Sequence, residues 1–192
     1  MSDVLFEIER LHYAYPGAEA AHAACPAQRR EALAGITLTI PRGIRLVLIG
    51  ANGSGKSTLL MHLNGTLRPA SGHVCFDGCP LDYARCGLLA LRRRVALVFQ
   101  DPDDQLFAGT LAQDVSFGPL NLGLPEAEVR RRVAESIEAV GLRGLDDLPI
   151  HMLSHGQRKR ATLAGALAMR PEVLLLDEPT AGLDPESVKA LR

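Results

Sequence analysis

Gly50-Ala51-Asn52-Gly53-Ser54-Gly55-Lys56-Ser57-Thr58 is the stretch whose reading decides the fold. It fits the pattern G-x-x-x-x-G-K-[ST], a glycine-rich turn that wraps phosphate groups. Gly50, Gly53 and Gly55 carry no Cβ, so the backbone can curl and bring its N–H groups against an anion. Lys56 can set a point charge on the outer phosphates, and Ser57 can offer its hydroxyl to Mg²⁺. Before the loop, the apolar run Ile44 to Ile49 reads as a buried strand. After it, Lys56 to Asn64 reads as a helix whose N-terminus faces the phosphates. That flanking context separates the motif from a chance Gly/Ser loop.

Upstream, Val4 to Arg10 alternates weakly as a strand, and Ala18 to Arg30 is an Ala-rich loop or extension without a clear period. Ala32 to Ile40 gives a second strand, turned by Pro41-Arg42-Gly43 into the phosphate-loop strand. Downstream, His73 to Asp77 is a short strand and Leu88 to Arg94 a brief helix. Val95 to Phe99 is a continuous apolar strand of the kind that suits a parallel sheet. Helix signals then dominate. Leu111 to Phe117 is followed by Glu126 to Val140, where Val129, Val133, Ile137 and Val140 share one face. Pro125 opens that helix at a first-turn position and Gly141 closes it. A helix from Gln157 to Met169 precedes a last apolar strand, Glu172 to Leu176.

These elements predict an α/β fold. Strands 44–49, 95–99 and 172–177 form its parallel sheet, and a helical block is inserted at 101–170. The expected division is a nucleotide-binding core of residues 1–100 and 171–192 around that block. The phosphate loop, Gln100 and Asp177-Glu178 then lie at C-terminal strand ends, where open α/β sheets bind ligands.

Composition narrows the partners. With 192 residues, 47% hydrophobic and 22% charged, the chain has ordinary globular composition, and a net charge of −1 gives no reason to expect nucleic acid. The triplets Arg92-Arg93-Arg94 and Arg130-Arg131-Arg132 sit beside acidic or apolar helical residues and read as solvated faces. Cys25, Cys75, Cys79 and Cys86 form no C-x-x-C pair, and no signal-peptide pattern precedes them, which points to a reduced cytosolic compartment. The spacing of His73, Cys75, Cys79 and Cys86 matches no common zinc pattern.

Two further stretches carry chemistry. Val173-Leu174-Leu175-Leu176-Asp177-Glu178 is a strand ending in two carboxylates. One suits a Mg²⁺ shell, and the other can point at an attacking water. Leu153-Ser154-His155-Gly156-Gln157 opens a helix whose N-terminus favours an anion. Arg158, Lys159 and Arg160 pile positive charge where the helix dipole is already positive. Charge alone leaves two readings open: a strong anion nearby, or an exposed basic face.

In this order, these residues resemble the ATP-binding-cassette ATPases from Tyr15 to Arg192. Gly50 to Thr58 is similar to the Walker A loop, Gln100 to the Q-loop glutamine, and Leu153 to Gln157 to the signature. Val173 to Glu178 matches the Walker B strand and Ala181-Gly182-Leu183-Asp184 the D-loop. The resemblance implies ATP as ligand, with Tyr15 stacked on adenine. Asn52, Gly53, Ser54, Gly55, Lys56, Ser57 and Thr58 would hold the phosphates, and Ser154, Gly156 and Gln157 would face the γ-phosphate on a second subunit. It implies Mg²⁺ held by Ser57, Gln100 and Asp177, with Glu178 and Gln100 acting on the attacking water.

Val98 to Phe107, Asp114-Val115-Ser116-Phe117-Gly118-Pro119 and Met61-His62-Leu63-Asn64-Gly65 narrow the resemblance to the cobalt/nickel branch of energy-coupling-factor importers. That branch implies a pair of ATPase subunits, homo- or heterodimeric, at the cytoplasmic face of the membrane. They bind a transmembrane coupling subunit and a substrate-binding membrane component, and residues after Gln100 face the coupling helices. Two departures stand out. His155 replaces the commoner second glycine of the signature. The sequence also stops at Arg192, before the strand that carries the family's switch histidine, so a C-terminally truncated ATPase is expected. The alternatives are a vitamin importer of the same kind or a soluble cassette ATPase. A phosphate-loop kinase has no use for Leu153 to Gln157.

Overall fold

The computed structural model describes residues 3–16 and 31–181. It divides into two compact units, residues 1–92 and 93–192. In the first, β1 (Val4–Tyr13) and β2 (Leu33–Pro41) precede α1 (Lys56–Leu63), followed by β3 (Ser71–Phe76), β4 (Cys79–Pro80) and α2 (Arg85–Arg94). The strands form an antiparallel sheet in the order β2-β1-β3-β4. Phe6 and Ile8 face inward with Leu33, Val74 and Phe76. Leu11 is also fully buried, which strict alternation would forbid. The pairing register shifts between Ile8 and Leu11, where Arg10 sits at φ 44, and this irregularity returns Leu11 to the core. The strand expected over Val4 to Arg10 stops short of Leu11 and does not reach across this bulge.

One expectation fails here. Residues 44–50 belong to no strand and are paired with none among the described residues. Far from being buried, Val47 is 75% exposed and Ile49 93%. An apolar run specifies what it would bury, whereas a parallel strand also needs neighbours to complete its ladder. Of the parallel sheet expected from residues 44–49, 95–99 and 172–177, the described residues contain the latter two strands. The Ala18 to Arg30 extension and Gly182-Leu183-Asp184 lie outside the described residues.

In the second unit, β5 (Val95–Val98) and β6 (Val173–Leu176) pair in parallel, Val95 opposite Val173 and Val98 opposite Leu176. Between them run α3 (Leu111–Asn121), α4 (Glu126–Ala139) and α5 (His155–Ala168), packed on one another. Val129, Val133 and Ile137 of α4 meet Leu111 and Val115 of α3 and Ala161, Ala164 and Ala168 of α5 in one buried cluster. The small alanines let the other two helices approach α5 closely. Thr110 begins α3 with a reciprocal capping box to Gln113. That helix runs past the predicted Phe117, through Pro119, to Asn121. Pro125 stands at the N-cap of α4, just outside the predicted first turn, and Gly141 follows its end at φ 67.

The basic triplet on α4 is a solvated, ion-paired face. Arg130 pairs with Glu126, Arg131 with Glu128 and Glu135, and Arg132 with Glu128. Hydrogen bonds from Arg132 and Arg131 hold the Glu128 carboxyl down at about 2. The sign follows: this pairing is complete above the ordinary glutamate range and is lost as pH falls toward that value. Among the described residues no three His, Cys, Asp or Glu side chains group as a metal site. No helix there is long and apolar enough to cross a membrane.

Candidate functional site

In the first unit, the loop that opens α1 departs from regular structure because its glycines require it. Gly53 and Gly55 sit at φ 76 and 93, conformations that side chains disfavour. A Cβ on Gly55 would also lie 2.5 Å from the Ala32 carbonyl oxygen. Gly55 is the N-cap of α1 and supplies no side-chain cap, so the first N–H groups of the helix are left without one. Such a terminus suits an anion. The Lys56 amine lies over the loop, donating to the Gly50 and Ala51 carbonyls at 3.0 and 3.1 Å. Those carbonyls park the charge on the same loop whose N–H groups a phosphate would meet.

Behind the loop, Thr58 is buried, and its hydroxyl lies 3.2 Å from that of Tyr15. Tyr15 is 45% exposed and stands edge-on against Tyr13, 5.1 Å between ring centroids. Tyr13 also meets the buried His62 edge-on. The His62 Nδ1 donates to the Thr58 carbonyl, and burial lowers its pKa, favouring the neutral ring. The Tyr15 ring is thus anchored through its hydroxyl while its face stays accessible. Tyr15→Ala should weaken ATP and GTP binding alike by about 1 kcal/mol, roughly fivefold, because stacking reads a π-face and not a hydrogen-bond pattern. Tyr15→Phe should retain affinity. Equal calorimetric affinities for wild type and Tyr15→Ala would make Tyr15 an ordinary surface aromatic.

In the second unit, the residues after β5 and β6 come together. Gln100 Nε2 donates to Glu178 Oε2 at 2.9 Å. Asp177 is buried at 6% exposure, its N–H donating to the Val98 carbonyl. Glu178 takes a left-handed backbone at φ 44 directly before Pro179, so its side chain leaves the strand line that Asp177 continues. Ser154 is the N-cap of α5, which starts at His155, two residues before the predicted start. Ser154 Oγ accepts from the Gln157 N–H, and Gln157 Oε1 accepts from the Ser154 N–H, a closed capping box.

The three cations that follow are not an exposed basic face, because each donates to backbone carbonyls. Arg158 donates to Leu153 O and pairs with Asp103 at 3.0 Å. Arg160 donates to the Val140 and Gly141 carbonyls at the end of α4. Lys159 reaches the carbonyls of Glu178 and Ala181. Carbonyl partners leave no mark in a sequence, so only the crowding of charge on one turn was visible. Asp114 was quoted for its motif alone. It is buried and accepts from the Phe107 and Ala108 N–H groups, presenting Phe107, 66% exposed, edge-on to Phe117. Beside this pair lies a groove of about 410 Å³, whose lining includes Asp103, Leu106, Phe107, Ile150, His151 and Arg158.

A glycine loop running into an uncapped helix and a parallel strand ending in adjacent carboxylates are the parts of a phosphate-loop nucleotide-binding fold. The chain belongs to the ABC transporter family, whose profile matches residues 33–181. It is 56% identical over 92% of its length to the cobalt import ATP-binding protein CbiO of Rhodobacter capsulatus. It is 49% identical over 97% to the energy-coupling factor transporter ATP-binding protein EcfA of Methanothermobacter thermautotrophicus. The chain spans 59% and 57% of those proteins. Among solved structures it resembles cbiO1 of Clostridium perfringens, described as part of the ABC transporter complex cbiONQ. There the TM-score is 0.81 at 46% identity, covering 99% of this chain and 71% of the other. It also resembles a dimeric ATP-binding cassette bound to ADP and Pi, at TM-score 0.85 and 26% identity, covering 97% and 79%.

The residues present fit Mg-ATP. In the first unit the uncapped α1 terminus and the Lys56 amine suit phosphates and Ser57 carries a hydroxyl; in the second, the buried Asp177 carboxylate and the Gln100 amide are oxygen donors of the kind Mg²⁺ takes alongside phosphates and water.

Proposed function

We propose that the chain is the ATP-binding and ATP-hydrolysing part of an energy-coupling-factor importer, driving uptake of a transition-metal ion, cobalt or nickel. The observation that carries the hydrolytic reading is the contact of Gln100 with Glu178 where β5 and β6 end. It places a carboxylate, fixed by an amide, at the end of the sheet where ligands of α/β folds bind. In this reading ATP lies against Tyr15 and the loop from Asn52 to Thr58. Ser57, Gln100 and Asp177 would hold Mg²⁺, which would supply charge neutralisation at the phosphates. Glu178 accepts the proton of the attacking water, and Gln100 holds that carboxylate in place.

Ser154, Gly156 and Gln157 face the nucleotide of a second ATPase subunit, in keeping with the dimeric cassette of similar fold. The exposed Phe107–Phe117 pair offers a transmembrane coupling subunit an apolar seat at the cytoplasmic face, beside a groove that Asp103, His151 and Arg158 make polar. The choice of metal is supported by one relative's name, a cobalt import ATP-binding protein. Reconstitution of the full chain with its membrane components in vesicles tests the reading. ATP-dependent uptake of radiolabelled cobalt or nickel is expected. Uptake of a vitamin and neither metal would move the protein to the vitamin branch, and failure of the active ATPase to bind any membrane component would remove it from importers altogether.

A further inference from the structure

Lys159 is 7% exposed, and a buried ammonium needs partners. It has them at one place. Nζ donates to the Glu178 carbonyl at 3.1 Å and to the Ala181 carbonyl at 2.6 Å. The Ala181 N–H itself donates to the Glu178 carbonyl, closing the turn Glu178-Pro179-Thr180-Ala181. So the amine clips both ends of the short turn that follows β6. That turn begins with a conformation that must be held. Glu178 lies at φ 44, sparsely populated for a side-chain-bearing residue, and a following proline narrows its choices further. Strained backbone of this kind persists where its surroundings over-determine it. Lys159 on α5 is part of those surroundings, while its neighbours Arg158 and Arg160 spend their donors elsewhere.

We propose that Lys159 is the positioning residue for Glu178, fixing the backbone from which its carboxylate reaches Gln100 and tying that carboxylate to the helix that Ser154 caps. The inference rests on the reading of Glu178 as the group acting on water. Lys159 touches no reacting atom; it acts through the Glu178 main chain. Burial lowers the pKa of the amine, while the Glu178 and Asp101 carboxylates work against that shift. The site thus draws the ammonium toward the turn by charge as well as by hydrogen bonds. The geometry also couples two functional parts: a movement of α5 carries the Lys159 amine with it, and with the amine the turn that aims Glu178.

The test compares Lys159→Met, which keeps the aliphatic stem without a donor, and Lys159→Arg, which keeps two donors, in full-chain steady-state ATPase assays beside Glu178→Gln. Misplacement of a reacting group by about an ångström can cost on the order of 100-fold. Lys159→Met is therefore expected to lower kcat about 10- to 100-fold, with the KM for Mg-ATP within about threefold of wild type. Lys159→Arg should recover kcat to within about fivefold. A purely structural defect would not split kcat from KM or respond to the donor. Should Lys159→Met fail to fold, Lys159→Leu takes its place with the same expectation, since it too carries no donor. A kcat within twofold of wild type for the donor-free variant overturns the proposal, as does a parallel loss in KM that arginine leaves unrepaired. Full activity in Glu178→Gln would instead overturn the underlying reading of Glu178, whatever the lysine variants do.

Discussion

Lys56→Ala should lose roughly 30- to 150-fold in affinity for Mg-ATP, the loss of about 2–3 kcal/mol expected when a charge-assisted contact to phosphate disappears. The estimate uses the position of the amine. Held by the Gly50 and Ala51 carbonyls, it is placed over the loop before any nucleotide arrives, so little side-chain entropy remains to be lost on binding. No neighbour on the loop substitutes for it, since residues 50–55 and 57–58 carry no charge. The fold should tolerate the change. Alanine is at least as good a helix former as lysine at the start of α1, and the lysine's own partners are loop carbonyls. Calorimetry with Mg-ATP on a variant whose thermal midpoint matches wild type is the check. Unchanged affinity would mean that the loop binds something other than a triphosphate.

The elements most legible in the sequence were those that carry their own evidence within a few residues. The stripe Val129, Val133, Ile137 announced α4, and Ser154 with Gln157 announced the start of α5 to within two residues. Val95 and Val173 opened two short apolar runs that proved to be paired strands. Ile44 to Ile49 looked the same and is no strand, because pairing is a property of two segments and the sequence displays only one at a time. The bulge at Arg10 was invisible for a related reason: it shows as a fault in alternation, indistinguishable from a poor strand. The types and order of Lys56, Asp177 and Glu178, the residues expected to bind and act, are visible in the sequence. The inward turn of Arg158, Lys159 and Arg160 is not, because their partners are carbonyls contributed by backbone far along the chain. Side-chain chemistry is written in the sequence; the backbone acceptors that decide where a cation points are written in the fold.

Glu178→Gln should lower the rate of ATP hydrolysis about 10²–10⁴-fold, the range lost when a positioned general base is removed. The structure explains why so small a change should act so selectively. Glutamine keeps the shape of the side chain, and its carbonyl oxygen can accept from Gln100 Nε2 as the Glu178 carboxylate does at 2.9 Å. Lys159 hydrogen-bonds the main-chain carbonyl of residue 178, and that contact survives the change of side chain. What disappears is the negative charge and with it the proton acceptor. Binding should be no weaker, because the γ-phosphate is itself anionic and loses a repulsive neighbour. The variant should therefore hold ATP without consuming it and accumulate as a closed dimer, visible as an earlier elution in size exclusion with Mg-ATP. Asp177→Asn supplies the contrast. Asp177 continues the strand line of β6 and is buried, whereas the Glu178 backbone turns off that line at φ 44, so different roles are expected of the two carboxylates. Its loss should weaken the Mg²⁺-dependent part of nucleotide affinity and leave no trapped dimer. If Glu178→Gln turns over ATP within about threefold of wild type, far short of the loss expected for a base, the proton goes elsewhere and the pairing with Gln100 has another purpose.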